Sequence, residues 1–102
     1  IISERSSFKA VPRTVSVILV KNTQTALEAL AHFYRMKFDI PVVAVTGSNG
    51  KTTTKNMIAA LVASKLNVCA TQKNFNNEIG LPKTLLRLTA EHEACVVKLD
   101  FR

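Results

Sequence analysis

The hydrophobic pattern from residue 42 onward predicts strands and helices in alternation. A continuous apolar run at residues 42–46 is typical of a strand buried on both faces of a parallel sheet. An amphipathic stretch at residues 51–64 predicts a helix. Its expected buried residues are Met57, Ile58, Leu61 and Val62. The remaining predicted elements are a strand at 67–71, a polar loop at 72–78, a helix through Leu88 with Pro82 near its first turn, and a strand at 94–99. This order is the plan of a parallel α/β sheet.

The pattern before residue 42 predicts a separate unit at the start of the chain. Residues 1–3 and 15–20 are strand-like, and Pro12 interrupts the polar segment between them. We place the boundary near residues 21–22, so that residues 1–22 and 23–102 belong to different domains.

A helix is expected from about residue 23 to residue 38, where apolar residues recur at three- and four-residue spacing. The apolar stripe consists of Leu27, Leu30, Ala31, Tyr34 and Phe38. Thr25 and Glu28 have the spacing of a capping box, whereas Asn22 and Thr23 are competing N-caps.

The composition indicates a globular chain. Apolar residues make up 47% of its 102 residues, and the formal net charge is +7. The basic residues are scattered and do not interleave with aromatic residues, so we expect a solvated basic surface and no nucleic-acid partner. No apolar run approaches the ~20 residues of a membrane span, and the start lacks the plan of a signal peptide. We therefore expect a cytoplasmic protein without membrane insertion, and its first and last residues, Ile1 and Arg102, predict a piece of a longer protein.

The cysteines and histidines do not have the spacing of a metal site. Cys69 and Cys95 each lie in a short apolar run, which predicts buried core thiols in a cytoplasmic protein. His32 and His92 share no ligand spacing with each other or with the cysteines.

The segment after the strand at residues 42–46 has the features of a phosphate-binding loop. Glycines let the backbone approach phosphate oxygens, and the first N–H groups of the following helix have no partner within the helix. Lys51 is placed to reach the outer phosphates and is the expected catalytic residue, and the Thr52 hydroxyl is the expected magnesium ligand. The expected nucleotide-binding residues are Gly47, Ser48, Asn49, Gly50, Lys51, Thr52 and Thr53.

One alternative interpretation of this loop and one alternative role for its hydroxyl groups remain open. The full eight-residue motif is absent, because Val45 stands where its first glycine is expected. A glycine turn followed by an ordinary helix with a surface lysine is therefore the competing interpretation. The hydroxyls of Thr53 and Thr54 also suit helix capping as well as they suit ligand contact.

Residues 46–54, Thr-Gly-Ser-Asn-Gly-Lys-Thr-Thr-Thr, resemble the ATP loop of the Mur ligases. Residues 74–86 are similar to the segment typical of the family member that joins D-Ala-D-Ala to UDP-MurNAc-tripeptide. The resemblance implies the incomplete central domain of a parallel-sheet P-loop ATPase, preceded by the end of a small UDP-sugar-binding domain. It also implies a monomer that uses ATP and Mg²⁺ to form an acyl phosphate, which the amine of the dipeptide then attacks.

The same resemblance assigns two further features. The expected substrate-binding residues are Asn74, Asn76 and Asn77. These asparagines are equally suited to holding their loop through side-chain bonds to the backbone. Lys98 stands where the family usually has a glutamate that ligates magnesium, and lysine offers a metal no lone pair. Asp100, on the same strand face, is one substitute ligand. A sequence error near the end of the chain and a homologue with impaired catalysis are the remaining alternatives.

Three alternative functions follow from these features. Another Mur-type ligase would use the same chemistry on a different amino acid. A non-catalytic nucleotide-binding module would account for Lys98. A basic nucleic-acid-binding fragment fits least well, because the basic residues are scattered and no aromatic platform accompanies them.

Overall fold

A computed structural model describes residues 1–5, 11–72 and 79–99 of the chain. The order of strands and helices agrees with the predicted α/β plan. The elements are β1 (Ile2–Ser3), β2 (Ile18–Leu19), α1 (Thr23–Arg35), β3 (Val42–Val45), α2 (Lys51–Ala63), β4 (Val68–Ala70), α3 (Gly80–Leu86) and β5 (Ala94–Lys98). Within these ranges, no helix is long and apolar enough to cross a membrane.

The main sheet has three parallel strands in the order β3-β5-β4. The last strand in sequence is therefore the central one, and its residues Cys95 and Val96 are completely buried. The prediction that β3 is buried on both faces is wrong for the described residues, because Val43 is 37% exposed. Of the described strands only β5 has a neighbour on each side, so the buried position expected for β3 is taken by β5.

Helices lie on both faces of this sheet. Cys95 and Val97 point to one face, where Tyr34 of α1 and Leu85 of α3 pack against them. Helix α2 packs across β5 on the other face. Because side chains alternate along a strand, Lys98 lies on the same face of β5 as Val96, toward α2. Both cysteines are buried and have free thiols, as expected.

Helix α1 begins after Asn22, whose side chain accepts a hydrogen bond of 2.9 Å from the Thr25 N–H. The cap is thus Asn22, and the alternative capping box is not formed. The helix ends at Arg35, earlier than expected, and the Arg35 guanidinium donates to the carbonyls of Phe38 and Ile40 beyond the helix. Leu30, predicted in the buried stripe, is 43% exposed.

The buried face of α2 differs from the prediction. Met57 is 62% exposed and Leu61 is 72% exposed. The face toward the sheet instead contains Lys55, Ile58 and Val62, which are spaced by three and four residues and so lie above one another. Met57 and Leu61 share a different face, because they are four residues apart and offset from this stripe.

The start of the chain forms a second, small sheet. Strands β1 and β2 pair in parallel, with Ile2 opposite Ile18. The Ile18 N–H donates to the Ile1 carbonyl at 2.8 Å, and the Val20 N–H donates to the Ser3 carbonyl at 2.9 Å. Among the described strands, these two are hydrogen-bonded to each other and not to the three-stranded sheet.

Candidate functional site

The loop between β3 and α2 has the backbone that its two glycines allow. Gly47 has φ 144° and Gly50 has φ 74°, and no other described residue has a positive φ. Gly50 is also the N-cap of α2 and lies in the left-handed region. A Cβ added there would meet no atom within 4 Å among the described residues. The backbone conformation, not crowding by the protein, therefore favours glycine at this position.

The N-terminus of α2 is open toward the loop. Among the described residues, no side chain caps it and its first turn contains no acidic residue. The Thr54 N–H donates to the Gly50 carbonyl at 2.9 Å, which is the first helical hydrogen bond. The N–H groups before it, together with the helix dipole, favour an anion.

The structure brings the seven expected nucleotide-binding residues together in the loop and the first turn of α2. Lys51 is half-buried, whereas the other six are exposed: Gly47, Ser48, Asn49, Gly50, Thr52 and Thr53. Exposure of these residues leaves the loop accessible to a ligand. The expected substrate-binding residues Asn74, Asn76 and Asn77 lie outside the described residues, and so does Asp100.

Lys55 is a buried residue of the site that the sequence pattern did not predict. Its side chain is only 6% exposed, and Nζ donates to the Thr71 carbonyl at 2.6 Å. Burial, and secondarily the charge of Lys98, lowers the pKa of the Lys55 ammonium below its ordinary value. It shares a stripe with Ile58 and Val62, but a lysine inside a helix is normally a solvated charge, so the hydrophobic pattern does not predict its burial.

Lys98 contacts the residue expected to bind magnesium. It lies opposite Val45, the last residue of β3, so it ends β5 directly beside the loop. Its backbone N–H donates to Thr71 Oγ1 at 3.0 Å. Its side-chain Nζ donates to Thr52 Oγ1 at 3.2 Å. The carboxyl ends of three parallel strands thus meet at one edge, which is where ligands bind in open α/β sheets.

This arrangement does not fit a magnesium ion between Thr52 and residue 98. An ammonium group has three donors and no lone pair, and it already occupies the side of the Thr52 hydroxyl that faces β5. Magnesium requires oxygen ligands in near-octahedral geometry. In the part of the chain that the structure describes, no three His, Cys, Asp or Glu side chains are grouped as a metal site.

Comparison with known proteins identifies the family. The sequence model of the Mur ligase middle domain matches residues 45–100, more than half of the chain, including the loop and β5. The chain belongs to the Mur ligase family. It is 47% identical over 89 residues to the UDP-N-acetylmuramoyl-tripeptide–D-alanyl-D-alanine ligase of Synechocystis, covering 87% of this chain and 20% of that protein.

Solved structures of Mur ligases have the same fold. MurF from Acinetobacter baumannii matches with a TM-score of 0.86 and 35% identity, over 96% of this chain and 21% of that one. The MurF ligase from Thermotoga maritima, solved in complex with ADP, matches with a TM-score of 0.80 and 35% identity, over 95% of this chain and 22% of that one. The chain therefore spans about a fifth of the length of the relatives that it matches. The expected Mur ligase fold is confirmed.

Proposed function

We propose that the chain is part of an ATP-dependent ligase that joins D-Ala-D-Ala to UDP-MurNAc-tripeptide in peptidoglycan precursor synthesis. The observation that carries this proposal is the glycine loop, which ends at the open N-terminus of α2. The names of the relatives support the choice of ligase, and the ADP in the Thermotoga maritima neighbour supports nucleotide binding. In this proposal, residues 1–22 end an N-terminal domain and residues 23–102 begin the ATP-binding domain.

The loop residues have distinct proposed roles. The backbone of Gly47, Ser48, Asn49 and Gly50 surrounds the phosphates, and the first N–H groups of α2, at Lys51, Thr52 and Thr53, donate to phosphate oxygens. The Lys51 ammonium neutralises charge on the transferred phosphoryl group, because the reaction brings a carboxylate and the γ-phosphate, both anions, together. The tripeptide carboxylate takes the γ-phosphoryl group of ATP to become an acyl phosphate, and ADP is the leaving group. Attack by the dipeptide amine on the acyl carbon then forms the amide bond and releases phosphate.

Magnesium has no role in this proposal at Thr52. The resemblance implies a magnesium ion there, but the Lys98 ammonium holds the Thr52 hydroxyl instead. No step of the reaction is therefore assigned to a metal at that position. Binding of the tripeptide by Asn74, Asn76 and Asn77, a monomeric state and a cytoplasmic location stay predictions.

The test is the substrate dependence of phosphate release by the full-length protein. We expect release from ATP only when UDP-MurNAc-tripeptide and D-Ala-D-Ala are both present. Lys51→Ala is the control for background hydrolysis, and its turnover is expected to disappear. Turnover with D-glutamate or meso-diaminopimelate in place of the dipeptide would show that the protein is a sister ligase.

A non-catalytic nucleotide-binding module is the second candidate. Lys98 at the expected metal position is the observation that favours it. Nucleotide binding without phosphate release under any of these substrate combinations would select this candidate.

A further inference from the structure

The expected metal position of the site holds a positively charged side chain. A magnesium ion bound to the Thr52 hydroxyl would need further oxygen ligands from the residues beside it. Here the helix supplies the Thr52 hydroxyl, but the strand supplies the Lys98 ammonium, 3.2 Å from that hydroxyl. The charge at this point of the site is therefore already positive before any cation binds.

The position of Lys98 is fixed from two sides. Its backbone N–H is hydrogen-bonded to Thr71 Oγ1 at 3.0 Å, and the next residue, Leu99, donates its N–H to the Val45 carbonyl at 2.8 Å. The half-buried side chain then reaches across to Thr52 in the first turn of α2. An ammonium held in this way has a defined position beside the phosphate loop, as a bound cation would have.

The charges around it favour an anionic ligand over a further cation. Lys51 starts the same helical turn, and Lys55 lies buried one turn later. The first turn of α2 contains no acidic residue. A divalent cation at Thr52 would be repelled by Lys98, whereas the phosphates of a nucleotide would be attracted by the same group.

We propose that the Lys98 ammonium takes the place of the divalent cation at Thr52, so that the site binds nucleoside di- and triphosphates without a metal ion at this position. This inference rests on the nucleotide site proposed above. Lys98 is thus a phosphate-binding residue that determines whether nucleotide binding depends on a metal.

The experiment measures the affinity of the full-length protein for ADP and ATP by calorimetry, once with Mg²⁺ and once with EDTA. For the natural protein we expect dissociation constants that agree within about twofold in the two buffers, because binding uses Lys98 in both. Lys98→Glu should weaken binding in EDTA by at least about tenfold, the loss expected for one hydrogen bond to a charged group. Mg²⁺ should restore its affinity, because a carboxylate beside the Thr52 hydroxyl provides oxygen ligands.

Two further variants separate charge from metal ligation. Lys98→Gln removes the ammonium without supplying a carboxylate, so its binding should be weak in both buffers. Lys65→Glu makes the same charge reversal on an exposed residue beyond the other end of α2, roughly 20 Å away for a helix of this length. Its affinities should match those of the natural protein, which excludes a general effect of net charge.

The outcomes distinguish this inference from the proposed function. Binding by the natural protein only in Mg²⁺ would overturn the role of Lys98 and leave the ligase proposal intact. Unchanged affinity of Lys98→Glu in EDTA would overturn it as well. If the protein bound no nucleotide in the Mg²⁺ buffer and none in the EDTA buffer, both proposals would be overturned.

Discussion

Gly50 has a left-handed backbone conformation at the end of the loop. Its φ of 74° and ψ of 9° lie in the left-handed region, and it is the residue from which α2 starts. For a residue with a Cβ this conformation costs about 1–2 kcal/mol. A substitution at Gly50 would therefore either strain the loop or shift the N-terminus of α2, the end of the helix that carries the proposed phosphate contacts.

We expect Gly50→Ala to weaken ADP binding by about tenfold, the effect of roughly 1.4 kcal/mol. Asn adopts the left-handed conformation more readily than Ala. Gly50→Asn is therefore the matched variant and should keep most of the affinity. Calorimetric titration of both variants tests this. Equal losses would show that the bound phosphate leaves no room for any Cβ, and that conformation is not the cause.

The residues of the loop could be predicted from sequence because glycine, lysine and threonine have specific chemistry at that spacing. Lys55 could not, since a lysine inside a helix is normally a solvated charge. Lys55 can be buried because its ammonium donates a hydrogen bond to the Thr71 carbonyl. Thr71 lies just beyond the end of β4. The contact between Lys98 and Thr52 joins residues 46 positions apart, and only the strand order brings them together.

At the level of elements, the sequence predicts which segments form strands but not their order in the sheet. The run at residues 42–46 is as apolar as the run at 94–99, yet among the described strands the first lies at an edge and the second in the centre. Strand order depends on how the connections cross the sheet, which is tertiary information. The same limit explains why the predicted buried face of α2 is wrong for Met57 and Leu61.

The cap of α1 gives a prediction at this level. Asn22→Ala removes the acceptor of the Thr25 N–H, and such a loss costs about 1 kcal/mol. We expect amide hydrogen exchange at Thr25 to become about fivefold faster through local opening of the first turn.

Thr25→Ala is the control for this cap, because it removes the side chain that a capping box would need. Exchange in the first turn of α1 should stay close to that of the natural protein. An acceleration by Thr25→Ala equal to that of Asn22→Ala would contradict the assignment of Asn22 as the cap.

At the scale of the whole molecule, the chain is more extended than a compact domain. Its Cα radius of gyration is 16.3 Å, whereas a compact chain of about 100 residues has ~13 Å. The small β1–β2 sheet is hydrogen-bonded apart from the β3-β5-β4 sheet. The proposed division near residues 21–22 stays a prediction. The core of the larger unit lies in β5 and its neighbours, with Cys95 completely buried.

Two buried thiols couple this core to pH. Cys69 and Cys95 are opposite each other in the pairing of β4 with β5, and they are 2% and 0% exposed. The hydrogen bond with Cys69, followed by burial, raises the pKa of the Cys95 thiol far above its ordinary value. In the folded protein the pair therefore keeps at least one proton at alkaline pH.

This retained proton predicts a loss of stability at high pH. In the unfolded chain both thiols ionise with a pKa near 8.5, so above about pH 9 the folded state binds more protons than the unfolded state. The free energy of unfolding then falls as pH rises, by up to about 1.4 kcal/mol per pH unit for one proton. Denaturation of the full-length protein at pH values on both sides of this limit measures the fall.

Replacing both thiols, as Cys69→Ala with Cys95→Ala, should remove this part of the pH dependence, because the proton difference disappears with the groups that cause it. Val97→Ala is the matched control, since it truncates a buried side chain of the same strand without removing a thiol. It should lower stability by a similar amount at every pH and keep the slope of the natural protein. Parallel pH curves for the natural protein and the double variant would mean that the thiols ionise equally in the folded and unfolded states.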